Sequence, residues 1–412
     1  MSSTTCIFCG SDDQRLILPL GQQPLSNSYL KPEQLESNEP VFPLDLYVCE
    51  SCMLAHIEAV ATSEEIFSDY AYFSSFSTSW LEHCKSYVNM IIERLNLDKD
   101  SFVIEVASND GYLLQYFVEN NIPCLGIEPA ANVAEEAVKK GVPTQVSFWG
   151  EETAKGLAND GKQADLILGN NVFAHVPTLN DFVEGFKQAL KPNGVVTLEF
   201  PHLYQMVKHN QFDTIYHEHF SYFSLFVAQK IFAAHGMRVF DVEELPTHGG
   251  SLRMFATHEE NTSHVTTDSV ATVLDMEKSA GLMDFPSYEE FAQKASTVKE
   301  KLLAFLTEAK ANRKTVVGYG APAKGNTLLN YCGVTSEDIS FTVDRSPFKQ
   351  NLLLPGSHIP IKSPDDIREE KPDYVLILPW NLEREIVEQM SYIKDWGGQF
   401  VVPIPELRIL GE

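Results

Sequence analysis

Between residues 102 and 201, short apolar runs take turns with amphipathic ones, and this alternation limits the fold more than any other feature of the chain. Apolar runs lie at 102–107, 123–128, 143–148, 164–169 and 195–200, with helical patterns between them at 112–120, 131–140, 151–158 and 178–190. Strands that alternate with helices need crossover connections. They therefore predict a doubly wound parallel sheet with its ligand crevice at the C-terminal strand edge. A second alternation begins at Lys314: 315–320 reads as strand and turn, 325–332 as helix, and 339–344, 374–378 and 400–402 as strands. The fold class is thus α/β, with two Rossmann-like units. Helical patterns at 81–97 and 286–312 and strands around Gly249-Gly250 at 240–257 connect them.

The 412 residues exceed one ordinary core. The expected division is 1–65, 66–240 and 241–412. The first of these carries Cys6/Cys9 and Cys49/Cys52, four of seven cysteines. Two C-x-x-C pairs in one small segment of a cytoplasmic protein predict a structural, four-coordinate zinc site, although residues 10–48 make a long spacer. Four plain thiols or redox pairs are the alternative. A formal net charge of −26 argues against a nucleic-acid partner, which needs clustered Lys and Arg. The chain has neither an apolar run of membrane-spanning length nor a basic, apolar leader at its N-terminus, so no membrane partner is expected.

The first strand of the central unit ends in Glu105-Val106-Ala107-Ser108-Asn109-Asp110-Gly111, and the second in Gly126-Ile127-Glu128-Pro129. Small residues let backbone approach a ligand, and an acid after the second strand can grip ribose hydroxyls. The glycine cradle of a dinucleotide site is missing. A ribose clamp without a pyrophosphate cradle favours S-adenosylmethionine (SAM) over NAD; an ordinary sheet with an exposed acid is the alternative. Asn170 and Asn171 end the fourth strand, where a cofactor contact is expected, and His175 follows them, as a substrate contact or as a structural histidine.

Residues 216–222, Tyr-His-Glu-His-Phe-Ser-Tyr, put five proton-handling side chains into seven positions. Such density suits removal of a proton from carbon and stabilisation of an oxyanion better than it suits a core strand. A polar surface loop is the plain alternative, opposed by the interleaved Phe220, Tyr222 and Phe223. Upstream, Tyr70, Tyr72, Phe73, Phe76 and Trp80 form either an aromatic staple between domains or a lid that brings a phenol to the site. Gly318-x-Gly320-x-x-x-Lys324-Gly325 lacks the third glycine of a dinucleotide loop. Lys324 is a candidate phosphate contact, as is Arg253 of Thr247-His248-Gly249-Gly250-Ser251-Leu252-Arg253, which could equally form a structural ion pair.

Across nearly its whole length the chain resembles the sugar C-methyltransferase family. The cysteine pairs, EVASNDGYLLQYF, GIEP, NNVFAHVP, IYHEHFSYFS, THGGSLR and GYGAPAKGNTLLNYCG carry the resemblance. It implies a zinc-binding N-terminal domain, a SAM-binding centre and a C-terminal domain of similar topology. The implied reaction is SAM-dependent methylation at C3 of a dTDP-linked 4-keto-deoxysugar; an O- or N-methyltransferase is the alternative. The resemblance makes His219 the general base and gives Glu218 and Tyr216 the tasks of orienting it and bonding the sugar. His175 would lie by the keto oxygen, Tyr70 would enter from the N-terminal side, and Tyr222 would complete the site. His217 and Tyr72 are expected to touch substrate. A monomer or small homo-oligomer is expected.

Overall fold

The computed structural model describes residues 5–36, 38–60 and 74–411; Tyr70 and Tyr72 lie outside them. The first eleven strands are β1 (Gln14–Gln23), β2 (Phe42–Cys49), β3 (Ala55–His56), β4 (Val103–Val106), β5 (Cys124–Glu128), β6 (Thr144–Val146), β7 (Ala164–Asn170), β8 (Leu190–Pro201), β9 (Ser221–Tyr222), β10 (Met237–Leu245) and β11 (Ser251–His258). Seven of them form the central sheet in the order β10-β11-β8-β7-β4-β5-β6. The strands from β8 to β6 are parallel, and β11 runs antiparallel to both β8 and β10. The order reverses between β4 and β7, which puts the ligand crevice at their C-terminal ends. β4 is buried on both faces and reads Val-Ile-Glu-Val, as a central parallel strand should apart from its one acid.

The expected alternation is present with ends shifted by a few residues, but β8 begins at Leu190 rather than 195. The boundary expected at 240 falls inside β10, whose hairpin partner β11 is the strand paired with β8. The hairpin belongs to the central sheet because Ser251–Ala256 register against Val196–Pro201.

The C-terminal sheet adds β12 (Val316–Tyr319), β13 (Thr342–Val343), β14 (Ile361–Lys362), β15 (Tyr374–Ile377), β16 (Gln399–Val402) and β17 (Arg408–Leu410), ordered β14-β13-β12-β15-β16-β17. All but β17 are parallel.

The N-terminal sheet was not foreseen. Its order is β1-β2-β3-β9, so its last strand comes from the central domain. Ala55 registers with Tyr222 and His56 with Ser221. The 216–222 segment is thereby fastened to the cysteine module by backbone hydrogen bonds. Among the described residues no helix is long and apolar enough to cross a membrane.

Candidate active site

The loop after β4 takes three left-handed steps, at Ala107 (φ +56°), Asn109 (φ +49°) and Gly111 (φ +75°). It folds back on β5: the Ala107 amide donates to the Ile127 carbonyl at 2.8 Å. Glu128 accepts from the Asn109 amide at 2.8 Å and the Ala130 amide at 2.9 Å. Each oxygen keeps lone-pair capacity for a ribose hydroxyl. Burial raises the Glu128 pKa, and the two amides counter that. Around this clamp stand buried polar atoms without a hydrogen-bond partner among the described residues: Ser108 Oγ, Asp110 Oδ1, Asn170 Nδ2 and Asn171 Oδ1. Burial pushes Glu105 well above the ordinary carboxyl range. Unsatisfied donors and acceptors collected at the switch point of a doubly wound sheet fit a polar, cationic ligand. Pro129 is half-buried beside Glu128. Asp110 bonds Lys140 Nζ at 2.8 Å and the Ser75 hydroxyl through Oδ2 alone.

At Gly111 an added Cβ would lie 2.9 Å from Val142 Cγ2, and the positive φ would strain any other residue. Gly111→Ala is therefore expected to weaken SAM binding roughly tenfold or more, since strain of this kind costs about 1–3 kcal/mol. Calorimetric titration checks it; an unchanged affinity would place the cofactor elsewhere.

The 216–219 segment divides its side chains between two directions. His219 and Tyr216 face one another, the Tyr216 hydroxyl lying 2.7 Å from His219 Nε2. His219 Nδ1 lies 3.0 Å from the Thr214 carbonyl. A carbonyl only accepts, so Nδ1 carries the proton and Nε2 offers its lone pair. Desolvation first, then the neighbouring His175, holds His219 well below the usual imidazole range. His175 meets it edge-on, ring centroids 4.6 Å apart, and burial pushes His175 down to about 4. Both rings are thus neutral at pH 7. Tyr222 stacks its edge near His219, centroids 6.3 Å apart, and burial holds its phenol well above the usual range.

His217 and Glu218 point the other way, into the cysteine module. His217 Nε2 donates to the Pro43 carbonyl at 3.2 Å, and its ring stands edge-on to Phe42. The structure gives His217 this domain contact in place of the expected substrate contact, because the His219 amide closes a turn onto the Tyr216 carbonyl at 2.9 Å and so sends positions 217 and 218 to the side opposite 216 and 219. Glu218 is buried and accepts from Asn27 Nδ2 at 2.8 and 2.7 Å. The Thr214 carbonyl, rather than Glu218, holds the imidazole.

Arg253 takes the structural alternative. It pairs with Glu199 at 2.8 Å and Glu243 at 3.0 Å and lies over the Tyr87 ring. Lys324, at the start of the helix Ala323–Cys332, donates to Asn381 at 3.1 Å and lies over Trp380. Desolvation lowers its pKa, and its charge in turn depresses His219 and His248. The C-terminal domain therefore presents a cation to the same cleft. Its own dinucleotide-like crevice is filled: Tyr29 donates to the Ala321 carbonyl at 2.6 Å, Lys349 donates there at 2.8 Å, and Asp344 accepts from the Ala321 amide.

The four cysteine sulfurs lie within 4.8 Å of one another, with Cys6–Cys52 at 3.6 Å and Cys9–Cys49 at 3.5 Å. Tetrahedral thiolates 2.3 Å from zinc stand about 3.8 Å apart, so the set fits the ion with no open position.

Sequence comparisons agree with this geometry. Residues 6–67 match a zinc binding domain model, 80–242 a methyltransferase domain model and 246–405 a C-methyltransferase C-terminal domain model. The chain is 37% identical to C-methyltransferase NovU of Streptomyces niveus over 405 residues, which cover 98% of this chain and 96% of that one. It is 27% identical over 95 residues to a ubiquinone biosynthesis O-methyltransferase of Chelativorans sp., 23% of this chain and 38% of that one. Among solved structures, PH0226 protein from Pyrococcus horikoshii is 12% identical, covers 47% of this chain and 97% of its own, and superposes with a TM-score of 0.38. A relative this similar over the entire chain, a zinc module and a SAM-type sheet together show that the chain belongs to the C-methyltransferase family and is a SAM-dependent, zinc-binding C-methyltransferase.

Proposed function

We propose that the enzyme methylates the carbon beside the ketone of a nucleotide-linked 4-keto-deoxysugar, at C3 of a dTDP-sugar. One observation carries the reading: a neutral His219, its Nδ1 tied to Thr214, offers Nε2 to a cleft that also holds His175, Tyr216 and Lys324. A ketone makes the adjacent C–H acidic enough for such a base. Nε2 takes that proton, the C–H pair moves into a C3–C4 double bond, and O4 becomes an enolate oxygen. Tyr216 stabilises this oxygen by a hydrogen bond, and the His175 ring lines the pocket beside it. SAM, when bound, supplies the electrophilic methyl at the clamp of Glu128, Asn170 and Asn171. Lys324 meets the diphosphate, so an acidic protein still holds an anionic substrate. The free cysteines suit a cytoplasmic enzyme.

The test is incubation in D₂O with a panel of 4-keto-deoxysugar nucleotides, with and without SAM. Deuterium entering beside the ketone without SAM, and a methyl on that carbon with SAM, are expected. SAM binding with no exchange and no mass gain on any sugar would sink this reading and favour a heteroatom acceptor.

A further inference from the structure

Residues 26–30 leave the cysteine module and touch both other domains. Asn326 Nδ2 donates to the Ser26 carbonyl at 2.7 Å, Tyr29 donates to Ala321, and Leu30 exchanges backbone hydrogen bonds with Leu353 at 3.1 and 2.8 Å. Between these anchors stands Asn27. Its amide nitrogen reaches both Glu218 oxygens, yet Asn27 itself is exposed while Glu218 is buried. A buried carboxylate is stabilised in its ionised form only by donors aimed at it. Asn27 donates to Glu218, and the Lys349 ammonium adds a favourable charge.

We propose that Asn27 is a positioning residue: carried on a segment clamped at both ends, it holds the Glu218 carboxyl group in place behind the His219 turn. This rests on reading 216–219 as the methyl-transfer site. The groups that face Glu218 are Asn27 and Tyr29 from the segment, Lys349 from the C-terminal domain, and the His175 ring, which bonds the Glu218 backbone carbonyl. Burial pulls the Glu218 pKa up, and the Asn27 donor and then Lys349 pull it down.

Asn27→Leu, Asn27→Gln and Asn27→Asp separate this role from plain packing. Asn27→Leu is expected to lower kcat roughly 10–100-fold, the effect of losing a hydrogen bond to a buried carboxyl group. SAM affinity should stay within about twofold, and Asn27→Gln, which keeps the donor, should recover part of the loss. Asn27→Asp sets two carboxylates against each other, so one is held protonated in the fold above its unfolded pKa. Its stability should be full at low pH and fall as pH rises through that raised value, more steeply than in the parent protein. Adding Glu218→Gln should remove the extra slope. A thermal midpoint of Asn27→Asp that tracks the parent at every pH, or a slope indifferent to Glu218→Gln, would overturn the proposal, as would kcat within about twofold of the parent in folded Asn27→Leu. The thermal signature needs no substrate. If it holds while the parent protein methylates no keto sugar, the contact stands and the sugar reading falls.

Discussion

His219→Asn is expected to abolish both deuterium exchange beside the ketone and methyl transfer, by roughly 10²–10⁴-fold, while leaving SAM bound. Asparagine can keep a donor near the Thr214 carbonyl, so the loop has a means to stay in place. It has no lone pair of useful basicity at the Nε2 position. Tyr216→Phe tests the partner. It frees Nε2 of its 2.7 Å bond but removes a donor for the enolate oxygen, so exchange should survive better than methylation. The pH profile adds a sign. His219 is held well below its ordinary value of 6.5, so the base is lost only as pH falls through that lowered pKa. Exchange should therefore run unchanged through pH 6.5 and decline below it. An acid limb centred at 6.5 would show an imidazole that is not desolvated. Exchange intact in folded His219→Asn would move the base to another side chain.

Stripping zinc, or replacing Cys49 with Ser, is expected to unfold the sheet β1-β2-β3-β9 and take methyl transfer with it. Structural zinc sites of this type carry about 10–16 kcal/mol of apparent binding energy, most of it expressed as folding. Cys49 ends β2 and hydrogen-bonds Leu54 across the knuckle, so losing the metal loosens β2 and β3 together. β9 then loses its neighbour, and the wall of Ser221 and Tyr222 loses its register. Metal content by atomic emission, melting by circular dichroism and methyl transfer are the measurements. Full activity in a protein shown to be free of metal would mean that the module stands on its apolar core alone.

Much of the fold was readable because period and length carry it. Buried strands such as 124–128 and the helix Ala131–Lys139 announce themselves locally. The pairing of Ala55 with Tyr222 does not, since each strand is two residues long and the partner lies far along the chain. The same limit governed the site. Tyr216 and His219 stand out in an unusual density of titratable groups and His175 as a single histidine after the fourth strand, and the three meet. Thr214 acts through its carbonyl, which no side-chain pattern records. Asn27 reaches Glu218 from another domain. Arg253 left both readings open, and the choice was made by Glu199 and Glu243 on neighbouring strands. His217 and Glu218 share the titratable character of Tyr216 and His219 but not their direction.

The filled crevice of the C-terminal sheet bears on the order of assembly. Tyr29 seats on Ala321, and Ser26 on Asn326, at sequence separations of 292 and 300. Contacts closed over such spans come late, because the entropy of closing the loop must be met before the contact returns anything. During synthesis, at about 5–20 residues per second, the N-terminal segment waits until nearly three hundred further residues have emerged and β12 has paired. The cleft is then the last region of the molecule to close. A chain interrupted near its end would fold most of its cofactor sheet and still lack a place for the substrate.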